Sequence, residues 1–443
     1  MSTLTEPPAQ RHSPVSRAML LYVTVLIALS ALAWSIVWFR GHVLHKPYPY
    51  NTLLYVPEVR FSDWTDCTIR IEHFGESNLL GRTDVGSGYG YPAPTVYLFL
   101  VFVRLFHNSL RAYLIAASLV FVGTTLLFSA YVRRLARDSL AQVAIWLTLA
   151  LGFPALILLD RGNIEVFLWL FVLLGIVAFV RNSPYTAALL FALAASMKIY
   201  PLIFLLLFVP RRQYRAIALG VFAVCALSWL AIVGIGPDIR ETLHVMSHNA
   251  ALVRNLFFVQ LSPGEIRFDH SIFSVEKQLV NLYLHARHLN ISGSTPTFET
   301  STRVYGILAP LAFVILYIVR LHRLPLLNQF MGFTLCALLL PYISREYTLV
   351  YVYLLWAFFL CYLLTDVRAG RSTLSSTRMN LMMLSFAVVI APLSFLVIKT
   401  SGFSGQIKSL VLLLLLAVIL DTPMPSSLFD DLAPPTSKEL KTA

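Results

Sequence analysis

The stretch Phe61-Ser-Asp-Trp-Thr-Asp-Cys67 sets two carboxylates, Asp63 and Asp66, within one turn of a helix. Acids so spaced can divide general-base and electrostatic work, or share a divalent cation. The plainer reading is a solvated loop with capping aspartates. A second constellation is Asp160-Arg-Gly-Asn-Ile-Glu165, where one apolar run ends and the next begins. In an ordinary interfacial turn, Asn163 would cap the next helix and Glu165 would favour its first turn. Asp160, Arg161, Asn163 and Glu165 around a glycine are nevertheless dense for a simple turn. The third is Met197-Lys-Ile-Tyr-Pro201: Lys198 lies well inside the apolar run 184–209, far from the ends that snorkelling would need. An ammonium beside Tyr200 suits a phosphate better than it suits lipid. A fourth group, in the polar segment 236–303, brings His244, His248, Arg254, Arg267, Asp269, His270 and Lys277. Such a loop could hold an anionic lipid head or pass a proton, or be ordinary loop polarity. Asn290-Ile-Ser292 fits the glycosylation sequon, a weak signal alone.

The elements that must carry these residues are membrane helices. Of 443 residues, 58% are hydrophobic and only 13% charged, about half the share in a soluble domain. Apolar runs occupy about 18–39, 111–132, 139–159, 164–181, 184–209, 214–235, 304–321, 326–343, 347–365, 380–398 and 405–420. Spanning takes about 20 such residues, and backbone groups in lipid must pair within the segment, which selects helices. A barrel would show short alternating segments instead. The net charge of +12 reflects Lys and Arg in short loops, the positive-inside pattern, and not a nucleic-acid surface. The four cysteines form neither a disulfide framework nor a metal-ligand spacing. The first 17 residues lack the order of a signal peptide, and 421–443 read as a disordered polar tail.

Two topologies are open, according to whether 92–106 crosses the membrane or lies along it. The second, with 184–209 as two half-spans meeting at Lys198–Pro201, keeps Arg11, Arg17, Arg133, Arg134, Arg137, Arg181, Arg211, Arg212, Arg215, Arg320, Arg323, Arg368, Arg371 and Arg378 on one side. This second topology is preferred, and it also sets Asp160–Glu165, Lys198–Pro201 and Ser344–Tyr347 at the outer face. The expected protein is an all-α polytopic bundle of about 12 membrane segments in the cell (inner) membrane. Residues 1–17 and 421–443 are cytoplasmic tails. The transmembrane domain spans 18–420, with outer loops 40–110 and 236–303.

Arg161-Gly-Asn-Ile-Glu165 and, further on, Lys198-Ile-Tyr-Pro201 resemble the RGN-x-E and KIYP motifs of the GPI-anchor first mannosyltransferase. In looser form the pairing resembles that of bacterial polyprenol-phosphate-mannose-dependent mannosyltransferases. Both belong to the multispanning C-type glycosyltransferases. Tyr91-Pro-Ala-Pro-Thr-Val-Tyr97 is similar to their YPP-type segment, and Asp269-His-Ser271 distantly resembles a His-containing motif. By motif the resemblance covers about 18–280; beyond 300 it rests on hydropathy.

The resemblance implies transfer of mannose or a related hexose or pentose from a polyprenyl-phosphate donor. The acceptor would be a lipid or cell-envelope glycan at the outer face. The family's acid falls on Asp66 or Asp63, since D-W-T-D is not a strict D-x-D. Asp66 is preferred for its distance to Tyr91. Lys198, Tyr200, Asp160, Arg161, Asn163, Glu165, Tyr91 and His270 would bind substrate. Lipid-phosphate donors often need no cofactor, and a divalent cation is compatible with the converging acids and phosphate. The competing reading is a transporter or flippase for a lipid-linked or anionic solute, which predicts inverted repeats that the sequence does not display. A non-catalytic assembly factor is a third, and would leave Asp63 and Asp66 dispensable.

Overall fold

The computed structural model describes residues 13–48, 50–54, 60–81, 90–107, 109–259, 266–286, 296–398 and 401–432. Among them, seven helices are long and apolar enough to cross a membrane: Pro14–Val43, Leu110–Ala136, Ser139–Arg161, Tyr214–Ile235, Phe298–Arg323, Glu346–Val367 and Ser404–Asp421. Five shorter apolar helices join them: Pro94–Phe106, Glu165–Val180, Pro184–Met197, Leu326–Leu339 and Ser376–Ile390. Strand structure among the described residues is confined to the antiparallel pair Val397–Ile398 and Ser401–Gly402 and an isolated bridge between Asp269 and Arg345. The core lies around Leu326–Leu339 and Tyr351–Tyr362, most of whose residues are buried. Leu127, Phe222 and Ile307 are largely exposed on outer helices. Apolar surface on this scale calls for a hydrocarbon environment. The chain is a multi-pass membrane protein.

Two expectations change. The polar segments 40–110 and 236–303 hold, besides the expected apolar stretch at 92–106 (helix Pro94–Phe106), the helices Ser62–Ile71, Ile239–Val253 and Ile272–Ala286. Most of these are polar on one face, so a hydropathy window passes over them. The expected disorder of the C-terminal tail does not begin at 421. Asn328 Nδ2 donates to the Ile419 and Thr422 carbonyls at 2.8 and 2.7 Å, and Met424 N–H returns to Asn328 Oδ1 at 2.7 Å. Residues 433–443 and Asn290-Ile-Ser292 lie outside the described residues.

Three local devices position the site. Helix Ser139–Arg161 breaks at Gly152, where a Cβ would lie 2.2 Å from the Tyr353 hydroxyl; Pro154 follows. The helix then ends on Gly162, at φ 64, a left-handed residue that closes the last turn. A Cβ on Gly162 would lie 2.7 Å from Trp64 Cβ, so glycine lets the helix carrying Asp63 come into contact. Helix Pro184–Met197 stops at Lys198, which is extended at φ −149. Pro201 has no N–H for the Met197 carbonyl, and the Thr95 hydroxyl takes that carbonyl instead at 3.2 Å. The half-span break expected at Lys198–Pro201 is thus a break in the chain's helical path.

Candidate functional site

Asp63 and Asp66 both fall on the short helix Ser62–Ile71, Asp63 in its first turn. The start of this helix is stitched to the end of Phe153–Arg161: Phe61 N–H donates to the Asp160 carbonyl at 2.8 Å, and Arg60 Nε pairs with Asp160 Oδ1 at 3.2 Å. The stitch brings Arg161 Nη2 to 2.5 Å from Asp63 Oδ1. Asn163 Nδ2 donates to Asp63 Oδ2 at 2.5 Å and to the Tyr91 hydroxyl at 2.7 Å. Asn163 Oδ1 accepts the Glu165 N–H at 3.0 Å, the capping role its type suggests, while its Nδ2 serves the acid.

Glu165, wholly buried, forms an ion pair with Lys198 Nζ. The ammonium also lies 5.3 Å from the Tyr91 ring centroid and 5.0 Å from that of Tyr347, both cation–π distances. The ordinary idea of a lone lysine reaching for lipid or phosphate therefore fails in one respect. Lys198 is compensated by a carboxylate and two rings.

The residues singled out in sequence sort into one network and four residues outside it. Asp63, Arg161, Asn163, Glu165, Lys198 and Tyr91 are linked by the contacts above. Asp66 sits along the same helix; its carboxylate accepts no hydrogen bond among the described residues, whereas its backbone carbonyl accepts Arg70 Nη1 at 2.5 Å. Burial pushes the Asp66 carboxyl above the usual range, Arg70 and Arg161 pull it down, and Asp63 adds to the rise. Burial likewise drives the Tyr91 phenol well up, with Asp63 reinforcing it, so it stays a neutral donor and acceptor. Tyr200 packs its ring edge-on to Tyr351 at 5.6 Å, and its buried hydroxyl has no hydrogen-bond partner. Asp160 pairs with Arg60.

His270 stands apart, in a polar layer around Ser344 and Thr348, with Nε2 2.9 Å from Ser344 Oγ. Burial, and then Lys408, hold its imidazole well below the usual range, so it is neutral. Among the described residues no three His, Cys, Asp or Glu side chains gather into a group that could hold a metal ion.

Sequence reasoning set Ser344–Tyr347 at the outer face with the other groups but gave Glu346 and Tyr347 no role, and it overlooked Arg60 and Lys408. Lys408 lies within the apolar run 405–420 and Glu346 abuts the run 347–365. Intramembrane charge, the signal that singled out Lys198, would have found both. Tyr347 carries no such signal.

The network combines carboxylates, cations and phenols where one bundle edge meets two polar segments, an assembly suited to a charged, hydroxylated substrate. No curated protein and no solved structure matches the chain. The model of glycosyltransferase family 87 matches residues 89–344, more than half the chain, covering Tyr91, Arg161, Asn163, Glu165, Lys198, His270 and the end of the polar layer but not Asp63 or Asp66. The chain belongs to glycosyltransferase family 87 and is a membrane glycosyltransferase.

Proposed function

We propose that the chain moves mannose, or a related hexose or pentose, from a polyprenyl-phosphate donor to a lipid or cell-envelope glycan acceptor at the outer face of the cell membrane. The observation that carries the chemistry is the contrast within one helix turn. Both Asp63 oxygens are occupied, by Arg161 and Asn163, while the Asp66 carboxylate accepts no hydrogen bond among the described residues and its pKa is raised. A base needs an open oxygen and a pKa nearer the working pH. Asp66 takes the acceptor hydroxyl's proton as that oxygen attacks the anomeric carbon. The bond from the anomeric carbon to the phosphate oxygen breaks, and its electron pair leaves with the polyprenyl phosphate. Asp63 holds Arg161 and Asn163 in place.

The leaving phosphate gains negative charge, which nearby cations offset. Arg161 and Lys198 are the candidates, their side chains 20% and 16% exposed. Each is already shared with a carboxylate, so the phosphate competes with Asp63 or Glu165 for it. Because phosphate leaves without protonation, one base suffices, unlike glycoside hydrolysis with its two carboxyl groups. Asp160, with Arg60, orients the motif and contacts no reacting atom. Tyr200 offers an unpaired hydroxyl to the donor. The acidic pair and a phosphate together also fit a divalent cation, and metal titration of the assay decides whether one takes part.

The test is transfer from a supplied polyprenyl-phosphate sugar to a membrane acceptor by the purified protein. It runs beside lipid-linked sugar profiles of a deletion strain and its complemented parent. Loss of one sugar from one glycolipid, restored by the wild-type chain alone, supports the proposal. Unchanged profiles together with no transfer from any polyprenyl-phosphate sugar would refute it.

A further inference from the structure

Glu346 and Lys408 lie outside the network, yet their side chains are 0% and 0% exposed, with Lys408 Nζ 3.0 Å from Glu346 Oε1. Ser404 Oγ donates to the same oxygen at 2.6 Å. Glu346 Oε2 has no hydrogen-bond partner, and Lys408 otherwise faces the Phe153 ring at 5.3 Å. So sealed a pair is a poor source of stability, because removing both ions from water costs as much as their attraction returns. It is also closed to any incoming ligand. Its position is informative: Glu346 opens the tight turn Glu346–Val350, and the next residue, Tyr347, puts its ring against Lys198.

The turn is held from several sides. It packs on helix Phe153–Arg161, whose end carries Arg161. Glu346 N–H donates to the Phe268 carbonyl at 2.9 Å, Ser344 N–H to Asp269 Oδ1 at 2.9 Å, and His270 N–H to the Ser344 carbonyl at 2.8 Å. Helix Ser404–Asp421, which brings Lys408, is tied to the same strip by Gly405 N–H on the Arg267 carbonyl at 2.8 Å. Backbone bonds fix the strip, but among the described residues only the Glu346 side chain links the turn itself to the Lys408 helix by a hydrogen bond or ion pair.

We propose that Glu346 and Lys408 are positioning residues: their buried pair fixes the turn so that Tyr347 forms one wall of the Lys198 cage. The role in catalysis rests on the transfer reading above; the role in geometry does not. The full-length protein in nanodiscs is treated with a water-soluble amine-reactive ester, and acylation is read by mass spectrometry at Lys198 and, as a control, at the buried Lys277. Lys408→Met and Tyr347→Ala should each raise labelling of Lys198 about ten-fold, the scale of a coupling between touching groups. The double variant should show no further rise, and Lys277 should stay protected in all three. In the transfer assay Lys408→Met should lower kcat roughly ten- to a hundred-fold with donor KM nearly unchanged, as a misplaced site group does. It should cost nothing more in a Tyr347→Ala background.

Should Lys408→Met fail to fold, the neutral pair Glu346→Gln/Lys408→Met, which leaves no lone charge, carries the same expectations. Unchanged labelling of Lys198, additive effects with Tyr347→Ala, or Lys277 rising in step with Lys198 in the neutral pair would each overturn the positioning role. A wild-type chain without transfer would refute the transfer reading alone, because the labelling comparison stands without it.

Discussion

Two ion pairs flank the turn Glu346–Val350, and they differ in access. Lys198 and Glu165 have side chains 16% and 0% exposed, sit beside the half-open acids of Ser62–Ile71, and share their cation with two tyrosine rings. Lys408 and Glu346 are sealed. A pair with an open side can exchange one partner for an incoming anion; a sealed pair can only hold geometry. On the proposed reading, equal residue types thus do different work because one pair is partly exposed and the other is not. The acids repeat the lesson within a single helix turn, Asp63 tied by two donors and Asp66 tied by none.

The largest effect should break that last contrast. Asp66→Asn keeps shape but cannot take a proton, and a positioned base contributes about 10²- to 10⁴-fold in rate. Transfer should fall by that order with membrane insertion unchanged. Asp63→Asn should lose less, through misplaced Arg161 and Asn163. The wild-type rate should decline on acidification at a pH above the ordinary aspartate range, because Asp66's raised pKa means its proton-accepting form is lost sooner as pH falls. Equal losses at the two positions, or full activity in the double variant, would remove the distinction between holder and base.

Much of this arrangement was legible in the sequence, and the exceptions have physical causes. Asp63, Asp66, the Asp160–Glu165 group and Lys198 stood out because charge beside apolar runs is costly. Their union could not be read, because it depends on the turn at Gly162 and on the missing N–H of Pro201, which set distances rather than composition. Tyr347 was silent since a tyrosine at a helix start looks like any interfacial aromatic. The membrane-helix class was plain from hydropathy. The helices Ser62–Ile71, Ile239–Val253 and Ile272–Ala286 were not, because short amphipathic segments do not raise a window average.

The next effect separates support from chemistry at the open pair. Lys198→Met leaves Glu165 charged and wholly buried, which costs about 3–5 kcal/mol. The melting temperature should drop sharply. Glu165→Gln/Lys198→Met removes both charges and should recover most of the lost stability while transfer stays low. Recovered transfer in this double variant, measured beside its melting curve, would make the open pair as purely structural as the sealed one.

A smaller effect lies in the sealed layer. Burial raises the Asp269 carboxyl to about 6, against the N–H donors of Ser271 and Ser344 that pull it down. With the folded pKa above the unfolded one, its contribution is fully present below the unfolded value near 4 and is lost as pH rises through about 6. Two units correspond to at most about 3 kcal/mol. Asp269→Asn retains an Oδ1 acceptor for both N–H groups and cannot ionise. Its melting temperature should therefore gain on the wild type between pH 5 and pH 7.5. A constant gap across that range would show that the folded Asp269 is ionised throughout, and that the layer is less sealed than its burial indicates.

The smallest effect concerns Tyr200, at the boundary between the two regions. Its hydroxyl is buried without a partner while its ring rests on Tyr351. An unsatisfied buried hydroxyl costs about 1–3 kcal/mol, so Tyr200→Phe, which keeps the ring contact, should leave the melting temperature equal or higher. If that hydroxyl serves the open region by meeting a donor phosphate oxygen, removing it forfeits a bond to a charged group, worth about 1.5–3 kcal/mol. Donor KM should then rise on the order of ten-fold or more with kcat little changed, since such a bond is made equally before and during transfer. A higher melting temperature with unchanged KM would assign Tyr200 to packing, and the open region would end at Lys198.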